Sequence, residues 1–102
     1  MPFEDLELRV IAWAEEKNIL LASNPTVQMS KTLEECAEVI RELATFPTDK
    51  DALRLEYGDV LVTLIVGMAL ANIKPTEALQ DAYNKIAKRK GRMVGGVFVK
   101  ES

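Results

Sequence analysis

The chain has 102 residues, 48% of them hydrophobic, a formal charge of −3, one cysteine and no histidine. That length reads as one domain, residues 1–102, around one core. The acidic balance argues against a nucleic-acid surface, the missing histidine removes imidazole triads and His-ligated zinc, and the lone cysteine removes a disulfide framework.

Met1-Pro2-Phe3-Glu4-Asp5 is acidic, unlike the basic, apolar start of a signal peptide. The longest apolar run, Val60 to Ala71, broken only by Thr63, falls short of the roughly 20 residues that span a bilayer. A soluble cytoplasmic protein is expected, and a free Cys36 fits a reducing compartment.

The first predicted helix runs from about Asp5 to Lys17, with Leu6, Val10, Ile11, Trp13 and Ala14 at helical spacing. Asn18 is its expected stop. Asn24 is a good N-cap and Pro25 suits the first helical position, so a second helix should run to about Ala44, before Thr45-Phe46-Pro47. Thr48 with Asp51 is a capping-box start for a third helix, from about Asp49 to Asn72. A fourth starts at Pro75-Thr76 and should end near Arg89, ahead of Gly91. Met93 to Val99, with Gly95-Gly96 inside it, fits a short extended tail or a hairpin. The expected class is all-α, a four-helix bundle with a short extended C-terminal tail.

Beyond Asp59 the third helix is apolar on every side, and such a helix must be covered all round. Three neighbours in so short a chain can hardly do this, so part of it is expected to be a subunit interface. The competing reading is the central helix of a monomeric bundle.

On the second helix, turning about 100° per residue, Gln28, Lys31, Glu34, Glu35 and Glu38 share one face. Met29, Leu33, Cys36, Ile40, Leu43 and Ala44 share the opposite face, expected to be packed core, with Cys36 structural. On the third helix Glu56 and Asp59 share a face, and Thr63 continues it. Acidic pairs are usually solvated, but Leu55 and Val60 to Val62 bracket this one with apolar residues. Unpaired carboxylates are costly to bury, and like charges three apart repel. A hard divalent cation such as Mg²⁺, which takes oxygen ligands, resolves both penalties. Glu35, Glu38, Glu56 and Asp59 have the matching spacing.

Glu34-Glu35-Cys36-Ala37-Glu38, then residues 39 to 55, then Glu56-Tyr57-Gly58-Asp59, resembles the two-part acidic motif of the MazG-like nucleotide pyrophosphohydrolases. Gln28-Met29-Ser30-Lys31 and the stretches Tyr83 to Met93 and Gly96 to Glu101 are similar to that family as well. The resemblance implies hydrolysis of a nucleoside triphosphate between its α and β phosphates, dependent on Mg²⁺ with Mn²⁺ as substitute, in nucleotide pool sanitation. It implies metal-ligand roles for Glu35, Glu38, Glu56 and Asp59, and a role for Glu34 in orienting or deprotonating water or in supporting the ligands. Glu34, Glu35 and Glu38 form the catalytic set. It also implies a homodimer or homotetramer with sites assembled between subunits.

The triphosphate of such a substrate needs cations. Lys31 shares the acidic face, and Lys85 and Arg89 fall four apart in the basic cluster Lys85, Lys88, Arg89, Lys90 and Arg92. That cluster also has a plainer role, complementing a helix C-terminus. Trp13, Gln28 and Asn84, with Asn18 a further candidate, are the expected base or sugar contacts, although a Trp at helical spacing is more often core. No nucleic-acid or membrane partner is expected. The competing function is a helical oligomerisation module, or one that binds nucleotide or metal without turnover.

Overall fold

Sparse turn residues and helical spacing make the chain helical along most of its length, and a computed structural model describes residues 1–101. Helix α1 spans Phe3–Glu16. Asn18 ends it, as expected, by entering the left-handed region at φ 63, which asparagine tolerates better than most residues. A short helix that the sequence pattern does not predict follows, α2 at Ile19–Ala22. Helix α3 spans Pro25–Leu43, and the Asn24 side chain caps it by accepting the Val27 N–H at 3.0 Å. Asn24→Ala is expected to cost about 1 kcal/mol, readable as a lower denaturant midpoint at unchanged slope.

Helix α4 spans Lys50–Leu70, and its cap is Asp49, not Thr48. Asp49 Oδ1 accepts the N–H groups of Asp51 and Ala52 at 3.0 and 3.2 Å. The Thr48 hydroxyl donates backwards to the Thr45 carbonyl. Helix α5 spans Pro75–Ile86. Strands β1 (Gly91–Val94) and β2 (Val97–Lys100) pair antiparallel with Val94 opposite Val97. Gly95 and Gly96 join them at φ 58 and 82, the left-handed pair that a two-residue hairpin turn requires. Of the two expected forms of the tail, the hairpin is the one found. Among the described residues, no helix is long and apolar enough to cross a membrane.

Helices α3 and α4 form the main packed pair, with α1 and α2 laid against α4. Gln28 meets Thr63 whereas Glu35 meets Glu56 and Asp59, so α3 and α4 run antiparallel. The apolar core is small: Ala14, Val39, Ile65 and Val66.

One expectation is reversed. The buried stripe of α3 is Gln28, Thr32 and Val39, with Glu35 half-buried between them. These positions share one helix face, and that face meets α4. The apolar face expected to be core points outward, leaving Met29, Leu33 and Ile40 at 51, 64 and 67% exposure. Cys36 is only half-buried.

Beyond its first turn, α5 lies along no other helix, and every residue from Leu79 to Glu101 is exposed. The radius of gyration is 16.1 Å, against about 13 Å for a compact domain of this length. The accessible surface is 8085 Å², roughly 2,300 Å² above the ~5,800 Å² expected of a compact monomer of this mass.

Candidate functional site

The site begins with the face that α3 turns onto α4. Gln28 Nε2 donates to the Thr63 carbonyl at 3.2 Å, tying the two helices together. The Thr63 hydroxyl donates to the Val60 carbonyl at 2.8 Å. One α3 turn beyond the buried Thr32, Glu35 comes level with Glu56 and Asp59 of α4. One carboxylate oxygen from each of the three lies within 4.8 Å of the others, and all three groups are half-buried.

Carboxylates this close repel one another, and partial burial weakens the water that would screen them. Glu56 registers the strain: its pKa is raised above the ordinary 4.5, first by burial, then by Asp59, Glu38, Glu35 and Glu42. One cation touches the cluster directly, Lys31, whose Nζ lies 3.4 Å from Glu34 and 3.5 Å from Glu35. Its ammonium is held above its usual pKa, first through its hydrogen bond to Glu34 and then by that residue's charge. The cluster therefore keeps an excess of negative charge, made of hard oxygen donors on two rigid helices. That donor set suits Mg²⁺ or Mn²⁺ rather than a soft metal.

Glu38 stands apart from this trio. Arg41 Nη1 donates to both of its carboxylate oxygens, at 2.8 and 2.9 Å. Glu34 is exposed on the rim with Lys31.

Two cavities meet at Asp59. The more enclosed, about 300 Å³, is walled by Trp13, Ile19, Gln28, Lys31, Glu35 and Val66 among others. The second, about 410 Å³, is lined by Leu6, Arg9, Val10, Trp13, Asp59 and Val62. Trp13, Asp59 and Val62 belong to both. Trp13 is 46% exposed, so it is a cavity wall, not the core residue that its spacing allows.

The other expected contacts are elsewhere. Asn84, Lys85 and Arg89 line neither cavity. Asn84 is on exposed α5, where it accepts a hydrogen bond from Gln80. Lys85 and Arg89 do not share a helix face, because α5 ends at Ile86 and Arg89 lies in the following turn. Asn18 serves as the left-handed joint before α2. Sequence reasoning misses Arg9. It falls on the polar side of an amphipathic helix, and its only signal is its position four residues before Trp13 on the same face.

No curated protein matches the chain. A solved structure that does resemble it is the cyanophage S-2L MazG-like pyrophosphohydrolase bound to dGDP and three catalytic Mn²⁺ ions per active site, with TM-score 0.75 and 24% identity over 100% of this chain and 99% of that one. At that identity the likeness establishes the fold. The family model of the MazG nucleotide pyrophosphohydrolase domain matches residues 23–94, a range that holds α3, α4, α5 and all three carboxylates of the cluster. The chain therefore belongs to the MazG nucleotide pyrophosphohydrolase family.

Proposed function

We propose that the protein hydrolyses a nucleoside triphosphate or its deoxy form to the monophosphate and pyrophosphate, with Mg²⁺ as cofactor and Mn²⁺ able to replace it. The observation that carries this reading is the net-negative trio Glu35, Glu56 and Asp59 beside a cavity walled by Trp13 and Gln28. The Mn²⁺ and dGDP of the cyanophage structure support the same metal class and ligand class.

Glu35, Glu56 and Asp59 would hold the cation, and Glu38 would join them once Arg41 releases it. The bound ion would neutralise phosphate charge, polarise the α phosphorus and hold the attacking water. Water oxygen bonds to that phosphorus, the bond to the bridging oxygen breaks, and its electron pair leaves with pyrophosphate. Glu34, outside the trio, is the carboxylate available to take the water's proton and pass it to solvent. Lys31 meets phosphate oxygens at the rim. Trp13 stacks on the base, and the Gln28 side chain, fixed by Thr63, presents its amide oxygen to the base edge. This is positioning and electrostatics without a covalent intermediate.

Lys85, Arg89 and Asn84 reach the substrate from a second copy of the chain. The unpartnered apolar stripe of α5 (Leu79, Tyr83 and Ile86) needs a cover. So does the outward apolar groove of about 580 Å³ at Met29, Leu33, Leu64, Met68 and Ile73. The roughly 2,300 Å² of excess surface exceeds the ~800 Å² per partner of a standard interface. A homodimer or homotetramer follows, each chain one functional unit over residues 1–102, acting in the cytoplasm on the nucleotide pool.

The test is pyrophosphate release from a panel of NTPs and dNTPs. Release is expected from at least one, abolished by a chelator and restored by Mg²⁺ or Mn²⁺. Release from none at high protein concentration would leave a binding or assembly module as the reading.

A further inference from the structure

Arg9 is placed where a cation has work to do. It lines the second of the two cavities that meet at Asp59, together with Leu6, Val10 and Trp13. Arg9 and Asp59 are the only charged groups on that cavity's walls, and Arg9 makes no ion pair among the described residues. Arg9 and Trp13, four apart on α1, line this cavity together, and Trp13 is also a wall of the first.

The shared wall joins the two cavities. The first cavity is the more enclosed; beside Lys31, Glu35 and Asp59 it carries the apolar and amide surface of Ile19, Val66 and Gln28, which suits a nucleobase. The trio marks the bond to be cleaved. Because Asp59 lines both cavities, a substrate with its base in the first and its α phosphate at the trio, beside Lys31, has a path for its β and γ phosphates into the second. The guanidinium there offers a planar fork of donors that matches two phosphate oxygens.

We propose that Arg9 binds the β,γ end of the substrate, the part released as pyrophosphate. This rests on the triphosphate reading above and adds to it a contact on α1, a helix wholly outside the residues that match the family model. The subsite selects for phosphate number, whereas the Trp13 cavity selects for the base.

The chain has one tryptophan, and it stands between the two subsites, so its fluorescence reads binding at each. The probes are inorganic pyrophosphate with Mg²⁺ and, separately, the monophosphate of the best substrate in the panel. Arg9→Gln is expected to weaken pyrophosphate binding about 10-fold or more, the usual cost of losing a charged hydrogen-bond donor, and to leave monophosphate binding and the melting temperature unchanged. Arg9→Lys should recover part of the loss, because it restores the charge without the fork. Equal pyrophosphate affinity in Arg9→Gln and the unsubstituted protein would overturn the proposal, as would equal losses for both probes. Failure of the catalytic reading looks different: no triphosphate is cleaved by the unsubstituted protein. A pyrophosphate loss confined to Arg9→Gln in that case would keep the anion subsite and overturn only the chemistry assigned to it.

Discussion

Glu56→Gln is expected to raise the melting temperature of the metal-free protein and to lower nucleotide turnover by more than about 100-fold. The two effects share a cause. The pKa of Glu56 is raised, first by burial and then by the neighbouring carboxylates Asp59, Glu38, Glu35 and Glu42. Without a cation, the folded state holds these groups together and the unfolded chain separates them. The amide keeps the shape and hydrogen-bonding capacity of Glu56 and removes the charge, so the repulsion falls and the fold is more stable. With substrate and metal present, the same change removes an anionic ligand, and even partners that only support a metal ligand cost 10- to ~100-fold when lost.

The sign of the pH dependence agrees. A carboxyl whose folded pKa is raised binds its proton more tightly folded than unfolded. Its contribution is therefore present below the ordinary 4.5 and lost as pH rises through the raised folded value. Thermal unfolding in chelator across that window should show a shallower loss of stability with rising pH for Glu56→Gln than for the unsubstituted chain. A lower melting temperature for Glu56→Gln without metal would sink the account. Asp59→Asn tests the same cluster from the next α4 position facing the site.

Local chemistry is legible in the sequence, and helix orientation is not. Asn24-Pro25 announces the start of α3, and Asn18 and Gly95-Gly96 announce a joint and a turn, because caps and left-handed residues act over three or four positions. Glu35, Glu56 and Asp59 are legible as a group through their spacing. The orientation of α3 is misread because a hydrophobicity wheel shows which face is apolar, not which partner covers it. Here the half-polar stripe of Gln28, Thr32 and Glu35 meets α4 inside the chain, and Met29, Leu33 and Ile40 are left outward. The pairing of Glu38 with Arg41, again three residues apart, competes with the role its motif position suggests. Lys85 and Arg89 read as one helical face only while α5 is extended past Ile86.

Mixing two inactive variants is expected to restore activity if α5 serves a neighbouring copy. Glu56→Gln lacks a carboxylate, and the double variant Lys85→Ala/Arg89→Ala lacks the cations. In one chain the two sets are apart: the carboxylates cluster between α3 and α4, whereas Lys85 and Arg89 lie in a stretch exposed from Leu79 onward. In a two-fold dimer each site then takes its carboxylates from one chain and its cations from the other. Half of the randomly mixed dimers are hybrids, and one of the two sites in each is intact, so unfolding the variants together and refolding them should recover roughly a quarter of the unsubstituted activity. No recovery would show that each chain supplies both sets. Leu79→Asp makes the complementary test on assembly. It places a charge in the apolar stripe of α5, where little packing within the chain is at stake because Leu79 is 70% exposed. Light scattering should give a multiple of 11.4 kDa for the unsubstituted protein and a lower mass for Leu79→Asp. A monomer in both cases would remove the need for a second copy, and would leave the outward faces of α3 and α5 without an occupant of their own kind.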